Sequence, residues 1–258
     1  MQQAQVVIIT GASSGIGHGL AQCYAKDGWR IAIVARRLPE LEQLKDTLLA
    51  LGAPDVLVCV CDVAQKEQVA AVFSDIIQHF GQVDCLVANA GVSVPTPAYD
   101  CKIERLESTI NINVLGAAYC ANAVIPTMMA QKQGHIVGIS SLAGYRGLPE
   151  AGAYSASKAA LNALFESMRL DLKKFDIKVS VIRPGFIQTP LTDRNDYYMP
   201  FLQSAEVGVR KIYRAIRRGR AIMAFPRPLS WVVQSFYFWP VWLYDLVFAG
   251  MEKRKRDR

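Results

Sequence analysis

Tyr154-Ser155-Ala156-Ser157-Lys158 sets a phenol and an ammonium four residues apart, the spacing that puts both on one helix face. A free tyrosine ionises near pH ~10, which makes it a poor acid or base at neutrality. A neighbouring cation favours the phenolate, and lowering the pKa by ~3 units needs only ~4 kcal/mol of differential interaction. Alone, such a pair is commonplace and a solvated surface pair explains it. Two other stretches raise it above that. Ser140-Ser141 place hydroxyls at the end of an apolar run upstream. Thr10-Gly11-Ala12-Ser13-Ser14-Gly15-Ile16-Gly17 follows the first apolar run, and its glycines permit a tight turn that seats a pyrophosphate on a helix amino end. Three glycines are weak evidence by themselves; at the first strand–helix turn of a sheet beginning at residue 5 they are strong.

The elements that must position these groups alternate. Candidate strands are Gln5–Thr10, Arg30–Ala35, Val56–Asp62, Val83–Ala88, His135–Ser141 and Lys178–Arg183, near-continuously apolar as strands buried on both faces should be. Between them lie helix-length segments, Gly15–Gly28, Leu38–Leu51, Gln65–Phe80, Ile103–Gln131 and Ala153–Phe175. This alternation predicts right-handed crossovers and an α/β fold: a doubly wound parallel sheet of Rossmann type in three α/β/α layers. Beyond Pro184 the pattern changes to an irregular Phe186–Phe201, a basic helix over Gln203–Gly219 and a last short strand, Ala221–Phe225. The division expected is one catalytic domain over 1–225 and a carboxy-terminal extension over 226–258.

Composition narrows the function classes. Of 258 residues, 52% are hydrophobic and 20% charged, a globular profile. Six cysteines without a C-x-x-C pair argue against a disulfide framework, and Cys23, Cys59, Cys61, Cys85 and Cys120 read as small core hydrophobes. His18, His79 and His135 are scattered and suggest no metal site. The net charge of +7 is not spread evenly: residues 1–205 hold 17 Lys/Arg against 18 Asp/Glu, and 206–258 hold 12 against 4. A neutral body with a basic end argues against nucleic-acid binding. The amino-terminal MQQAQVVIITG lacks the features of a signal peptide, so a cytoplasmic location is expected.

Taken together, the motifs resemble those of the short-chain dehydrogenase/reductase family in its single-domain form, over residues 5 to about 190. Thr10–Gly17 matches the family's T-G-x-x-x-G-x-G, and Asn89-Ala90-Gly91 matches its N-N-A-G with Ala88 in place of the first asparagine. Asn113 falls at the family's active-site asparagine, and Ser141, thirteen residues before Tyr154, at its serine. Pro184-Gly185 and Thr189 match the segment contacting the nicotinamide. The resemblance implies a relay of Asn113, Ser141, Tyr154 and Lys158. Tyr154 exchanges a proton with a carbonyl or alcohol oxygen, Ser141 polarises that oxygen, Lys158 binds the ribose and lowers the Tyr154 pKa, and Asn113 holds a water linking Lys158 to solvent. It further implies cofactor contacts from Gly11, Ser13, Ser14, Gly15, Ile16, Gly17, Asn89, Ala90 and Gly91, with Asp62-Val63 at the adenine.

Cofactor choice turns on Ile33-Val34-Ala35-Arg36-Arg37, which ends the second strand without the carboxylate that binds a ribose 2′-hydroxyl. A guanidinium binds a 2′-phosphate through charge-assisted hydrogen bonds, so NADP(H) is expected, Arg36 the main contact and Arg37 in support. Arg37 as the start of a solvated loop is the competing reading. The extension is unusual. Leu229–Gly250 carries eight aromatic residues, with Asp245 its only charge and Pro240 in its middle, and five of the last six residues are basic. An interfacial segment on a membrane surface and packing on the body, over the cleft or between subunits, are the two main readings; Pro240 argues against spanning. Tyr197, Tyr198, Met199 and Phe201, with Tyr145, Leu148 and Pro149 opposite, favour an apolar carbonyl or alcohol substrate. Three functions compete: an NADP(H)-linked carbonyl reductase, a membrane-associated reductase of long-chain 3-keto lipids or sterols, and a non-catalytic NADP-binding regulatory or scaffold protein. Homo-oligomers are frequent in the family and are expected here.

Overall fold

The computed structural model describes residues 4–193 and 195–256, with side chains described as far as Phe248. Strands β1 (Val6–Thr10), β2 (Arg30–Ala35), β3 (Val56–Val60), β4 (Cys85–Ala88), β5 (Gly134–Ile139), β6 (Ile177–Pro184) and β7 (Ile222–Phe225) form one parallel sheet in the order β3-β2-β1-β4-β5-β6-β7. The chain leaves β1 toward one edge, then crosses back to β4 on the other side. That reversal opens a crevice above the carboxyl ends of β1 and β4.

Period-two alternation assigns each strand residue to one of two cores. Val7, Ile9, Ile31 and Ile33 face a core closed by α1 (Gly15–Lys26), α2 (Leu38–Ala50) and α7 (Ala205–Arg217). Val6, Ile8, Ala32 and Val34 face a second, closed by α3 (Lys66–Phe80), α5 (Ala117–Gln131) and α6 (Gly152–Leu172). The sequence VVIIT of β1 is wholly buried, as a strand covered on both sides requires. Each fully buried Val, Ile or Phe contributes about 1.5–3 kcal/mol, so these two cores fix the sheet on which the crevice rests.

Two expected elements end elsewhere. β3 stops at Val60 rather than Asp62: the Asp62 carboxylate accepts the Ala64 amide at 3.1 Å, and the Asp62 amide donates to the Gln68 side chain at 3.1 Å. This local turn competes with the sheet ladder. The single helix expected over 103–131 is divided into α4 (Ile103–Ile110), a π-helical segment Asn111–Gly116 and α5. The wider turn brings Asn113 into the interior, where it is 1% exposed. The combined run Ile103–Gln131 is long and apolar enough to cross a membrane, yet Cys120, Ala121, Val124 and Met128 on it are packed in the second core.

After β7 the chain forms α8 (Arg227–Ser235), a 3₁₀ turn at Phe236–Phe238 and α9 (Val241–Arg256). Trp239 is extended, as the residue before a proline tends to be, and it breaks the stretch into two helices. Neither reaches the roughly 20 residues a spanning helix needs. The basic side chains from Lys253 onward lie outside the described residues.

Candidate active site

The glycine-containing loop is locked to β4 before any ligand is considered. Thr10 Oγ1 accepts the amides of Asn89 at 3.0 Å and Ala90 at 3.1 Å. Asn89 Nδ2 donates back to the carbonyls of Thr10 at 2.8 Å and Gly11 at 3.3 Å. The approach is close enough to demand glycine. A β-carbon at Gly17 would stand 2.5 Å from Asn89 Nδ2, and Gly11, at φ +66°, would meet the Ala90 backbone at 2.8 Å. The result is an open cradle at the α1 amino end. Thr189 packs against it, its Cγ2 3.3 Å from where a Gly15 β-carbon would be.

At the far side of the crevice, α6 presents Tyr154 and Lys158. The loop after β4 fixes the start of this helix: the buried Thr96 hydroxyl accepts the Ala153 amide at 3.0 Å, capping the first turn. Lys158 Nζ donates to the Ile139 carbonyl at the end of β5, 2.9 Å away, and lies 5.6 Å from the Tyr154 ring centroid. Ser140 Oγ, from the same strand end, donates to the Lys158 carbonyl at 3.1 Å. Ser141 Oγ accepts the Ala143 amide at 3.1 Å and hydrogen-bonds the Tyr154 hydroxyl.

Asn113 joins the cluster through its amide. Nδ2 donates to the Val92 carbonyl at 2.9 Å and to Ser157 Oγ at 3.0 Å, while Oδ1 accepts the Val92 amide at 2.8 Å. Ser157 Oγ in turn donates to the Tyr154 carbonyl at 2.7 Å. Asn113 Oδ1 and Lys158 Nζ converge on Gly91, 3.2 and 3.5 Å from where its β-carbon would stand. Asn113 therefore holds protein groups on all the polar atoms of its side chain, beside the lysine and beneath the tyrosine helix.

These motifs are matched by the model of the short chain dehydrogenase family over residues 5–197. An uncharacterized oxidoreductase of Myxococcus xanthus is 41% identical over 226 residues, covering 88% of this chain and 89% of that one. An Arabidopsis thaliana protein named 11-beta-hydroxysteroid dehydrogenase-like 2 is 39% identical over 98% of this chain and 85% of its own. The structure of a short chain dehydrogenase/reductase from Burkholderia phymatum, in complex with NAD, superposes with a TM-score of 0.81 at 26% identity, covering 90% of this chain and 92% of that one. The chain belongs to the short-chain dehydrogenase/reductase family. It is accordingly an oxidoreductase, built on the expected Rossmann-type sheet.

In this short-chain dehydrogenase the electrostatics differ from the expectation in one respect. Lys158 does not depress the Tyr154 phenol. Burial pushes that phenol up, and the group opposing the rise is the Ser141 hydroxyl that bonds it. The same burial pushes the Lys158 amine down to about 8. Desolvation disfavours both charged forms, and at 5.6 Å from the ring, spent on a carbonyl, the ammonium does not overcome it.

The two arginines after β2 diverge. Arg37 donates to Ser13 Oγ at 2.9 Å and pairs with Glu40 at 3.0 Å, so it buttresses the loop. The Arg36 side chain is 62% exposed, and its ion pair with Asp62 is a long 3.8 Å. Val63 is buried with its side chain against Gly116, which leaves Asp62 as the half-exposed member of that pair. Pro184 ends β6, and the Gly185 amide donates to the Phe225 carbonyl at 2.7 Å. Ser14 caps no amide of α1 with its side chain, and Ile16 is half-buried beside the first core. Sequence reasoning missed Thr96 and Ser157 as members of the site. Ser157 stands inside the Tyr154–Lys158 pentapeptide, and its i−3 bond was open to inference; Thr96 has no local signal, because its partner is 57 residues away.

Proposed function

We propose that the protein interconverts an apolar ketone or aldehyde and the corresponding alcohol with NADP(H) as the nicotinamide cofactor. The observation that carries this reading is the Tyr154 phenol bonded by Ser141 on one side and flanked by Lys158 on the other, across the crevice from the cradle. The loop fits a dinucleotide diphosphate: glycine at 11 and 17 lets it pack tightly on β4, and it leads directly into the amino end of α1, where an anion is favoured. Gly11, Ser13, Ser14, Gly15, Ile16 and Gly17 would hold the diphosphate, Asn89, Ala90 and Gly91 the floor, and Asp62-Val63 the adenine. Pro184, Gly185 and Thr189 would flank the nicotinamide, and Tyr154 and Lys158 its ribose. The exposed Arg36 guanidinium suits a 2′-phosphate, with Arg37 already committed to Ser13 and Glu40.

When bound, the nicotinamide supplies or accepts a hydride at the reacting carbon. The protein supplies the proton and the alignment. Ser141 donates a hydrogen bond to the substrate oxygen, and Tyr154 transfers its hydroxyl proton to that oxygen as the bond order falls. At neutral pH the phenol is protonated, the form carbonyl reduction requires, and burial makes it a weaker acid than a free tyrosine. Asn113 acts through Ser157 and the Tyr154 backbone and fixes the helix turn that carries the phenol.

NADPH and NADH oxidation over a panel running from small aromatic ketones to long-chain lipids tests this reading. NADPH is expected to be preferred, and Arg36→Ala to lose about tenfold or more in NADPH affinity while leaving NADH unchanged. Wild-type preference for NADH would overturn the assignment.

A reductase of lipid or sterol carbonyls at a membrane surface is a second reading, favoured by the apolar face of the extension: Trp231, Tyr237, Phe238, Val241, Trp242 and Leu246 are each two-thirds exposed or more. Such aromatic surfaces suit the interfacial region of a bilayer. The relative named 11-beta-hydroxysteroid dehydrogenase-like 2 points to the same substrate class. Under this reading residues 1–225 catalyse and 226–258 dock a cytoplasmic enzyme peripherally. Vesicle co-sedimentation of the full chain and of Phe238→Ser/Trp242→Ser separates the cases; equal binding by both would discard the membrane surface. Pairing of two copies through the faces around Asn113–Gln131 and Ala153–Phe175, where Leu115 and Leu170 stand exposed, is checked by sedimentation velocity.

A further inference from the structure

Arg146 lies on the loop between β5 and α6, five residues after Ser141, and pairs with no carboxylate among the described residues. Its guanidinium is committed to the C-terminal extension instead. Nη1 donates to the Phe236 carbonyl and, at 3.3 Å, to the Trp239 carbonyl, while the guanidinium carbon sits 3.9 Å from the Tyr244 ring centroid. The Phe236 carbonyl also accepts the Trp239 amide at 3.2 Å, which closes the 3₁₀ turn, so the guanidinium bonds both ends of that turn. Tyr244 answers from α9 by donating to the Gly147 carbonyl at 2.6 Å. One residue pair thus binds two consecutive loop positions to two consecutive tail elements.

The loop is held from below as well. Arg183, buried on β6, donates to Asn162 Oδ1 at 3.1 Å and to the Tyr145 hydroxyl at 3.0 Å, and Asn162 Nδ2 donates to the Gly144 carbonyl at 3.4 Å. The tail also reaches the segments on either side of the crevice: a β-carbon at Gly185 would stand 3.0 Å from Leu229 Cδ2 and 3.3 Å from Leu142 Cδ1. Leu142 follows Ser141 directly, so the extension packs one residue from the hydroxyl that bonds the phenol.

We propose that Arg146 is a positioning residue that seats the C-terminal helices as a wall of the substrate crevice and so sets affinity for an apolar carbonyl substrate. The proposal rests on the reductase reading. One nitrogen serves both carbonyls while the planar guanidinium lies against the Tyr244 ring, and that stacking is what a lysine does not supply.

The test uses the full chain and the variants Arg146→Ala, Arg146→Lys and Tyr244→Phe, with NADPH and a long-chain aliphatic ketone. Arg146→Ala is expected to raise KM about tenfold with kcat within about threefold and NADPH affinity unchanged. Arg146→Lys does not restore KM, and Tyr244→Phe gives an intermediate rise. Hydrogen exchange of amides 227–248 speeds in the same order. Unchanged KM, or a joint fall in kcat, substrate affinity and NADPH affinity, overturns the proposal. If the wild type reduces no ketone, the reductase reading fails by itself; exchange then decides the seating, and unchanged exchange in Arg146→Ala overturns it.

Discussion

The crevice and the C-terminal helices meet at one loop, yet they are built on opposite terms. Around the crevice Thr10, Asn89, Thr96, Asn113 and Ser157 each have a named protein partner, and Lys158 is 5% exposed. Among the described side chains of the extension only Ser230, Phe236 and Tyr244 are buried, while Phe238 is 87% exposed and Trp242 68%. Buried polar groups that are all satisfied make a rigid site, since any displacement leaves one of them unpaired. An apolar surface anchored at three points and open elsewhere has its strongest interactions still to make. Satisfied polar groups gather around the crevice, and exposed apolar area around the extension.

That contrast can be broken by experiment. The largest effect is expected at the phenol: Tyr154→Phe should lower kcat by about 10²–10⁴-fold with NADPH binding intact, measured by steady-state rates and fluorescence titration. Undiminished turnover would leave the crevice rigid for some other reason. Next comes Phe165, fully buried against Gly138 of β5, where Phe165→Ala should cost about 3–5 kcal/mol in urea unfolding.

A pH experiment follows. Lys158 titrates near 8 in the folded protein against an ordinary value of 10.5. Between those values the unfolded chain keeps a proton that the folded one has released, so stability rises with pH by up to about 3 kcal/mol. Lys158→Met should remove that rise; an identical slope in both proteins would show that burial is not what depresses the amine. The smallest effect is in the tail. Phe238→Ser should change unfolding free energy by no more than about 0.5 kcal/mol, and a cost comparable to that of Phe165→Ala would mean that the outer face is covered in solution.

Much of this was legible from residue order alone. The six strands of the first 185 residues were placed within two residues of their observed starts and ends, because β-branched runs between amphipathic segments have few other solutions. The glycines, Tyr154 and Lys158 were legible because spacing along one turn or helix fixes their mutual placement. The π-helical turn at Asn113 was not, since it arises from Val92, 21 residues away, claiming both ends of the amide. Nor was the sign of the Tyr154 shift. A helix wheel shows that Lys158 is near, but the cost of desolvation depends on everything packed around the pair. In the tail, Pro240 announced a break; that Arg146 would hold the pieces required a contact across 90 residues.

The Thr96 hydroxyl bonds the first turn of α6, and its own amide donates to the Glu150 carbonyl at 2.8 Å. The loop after β4 is therefore tied at two points to the entry of the helix that carries the phenol. Anything that shifts Thr96 must break one of these two bonds or carry the first turn of α6 with it.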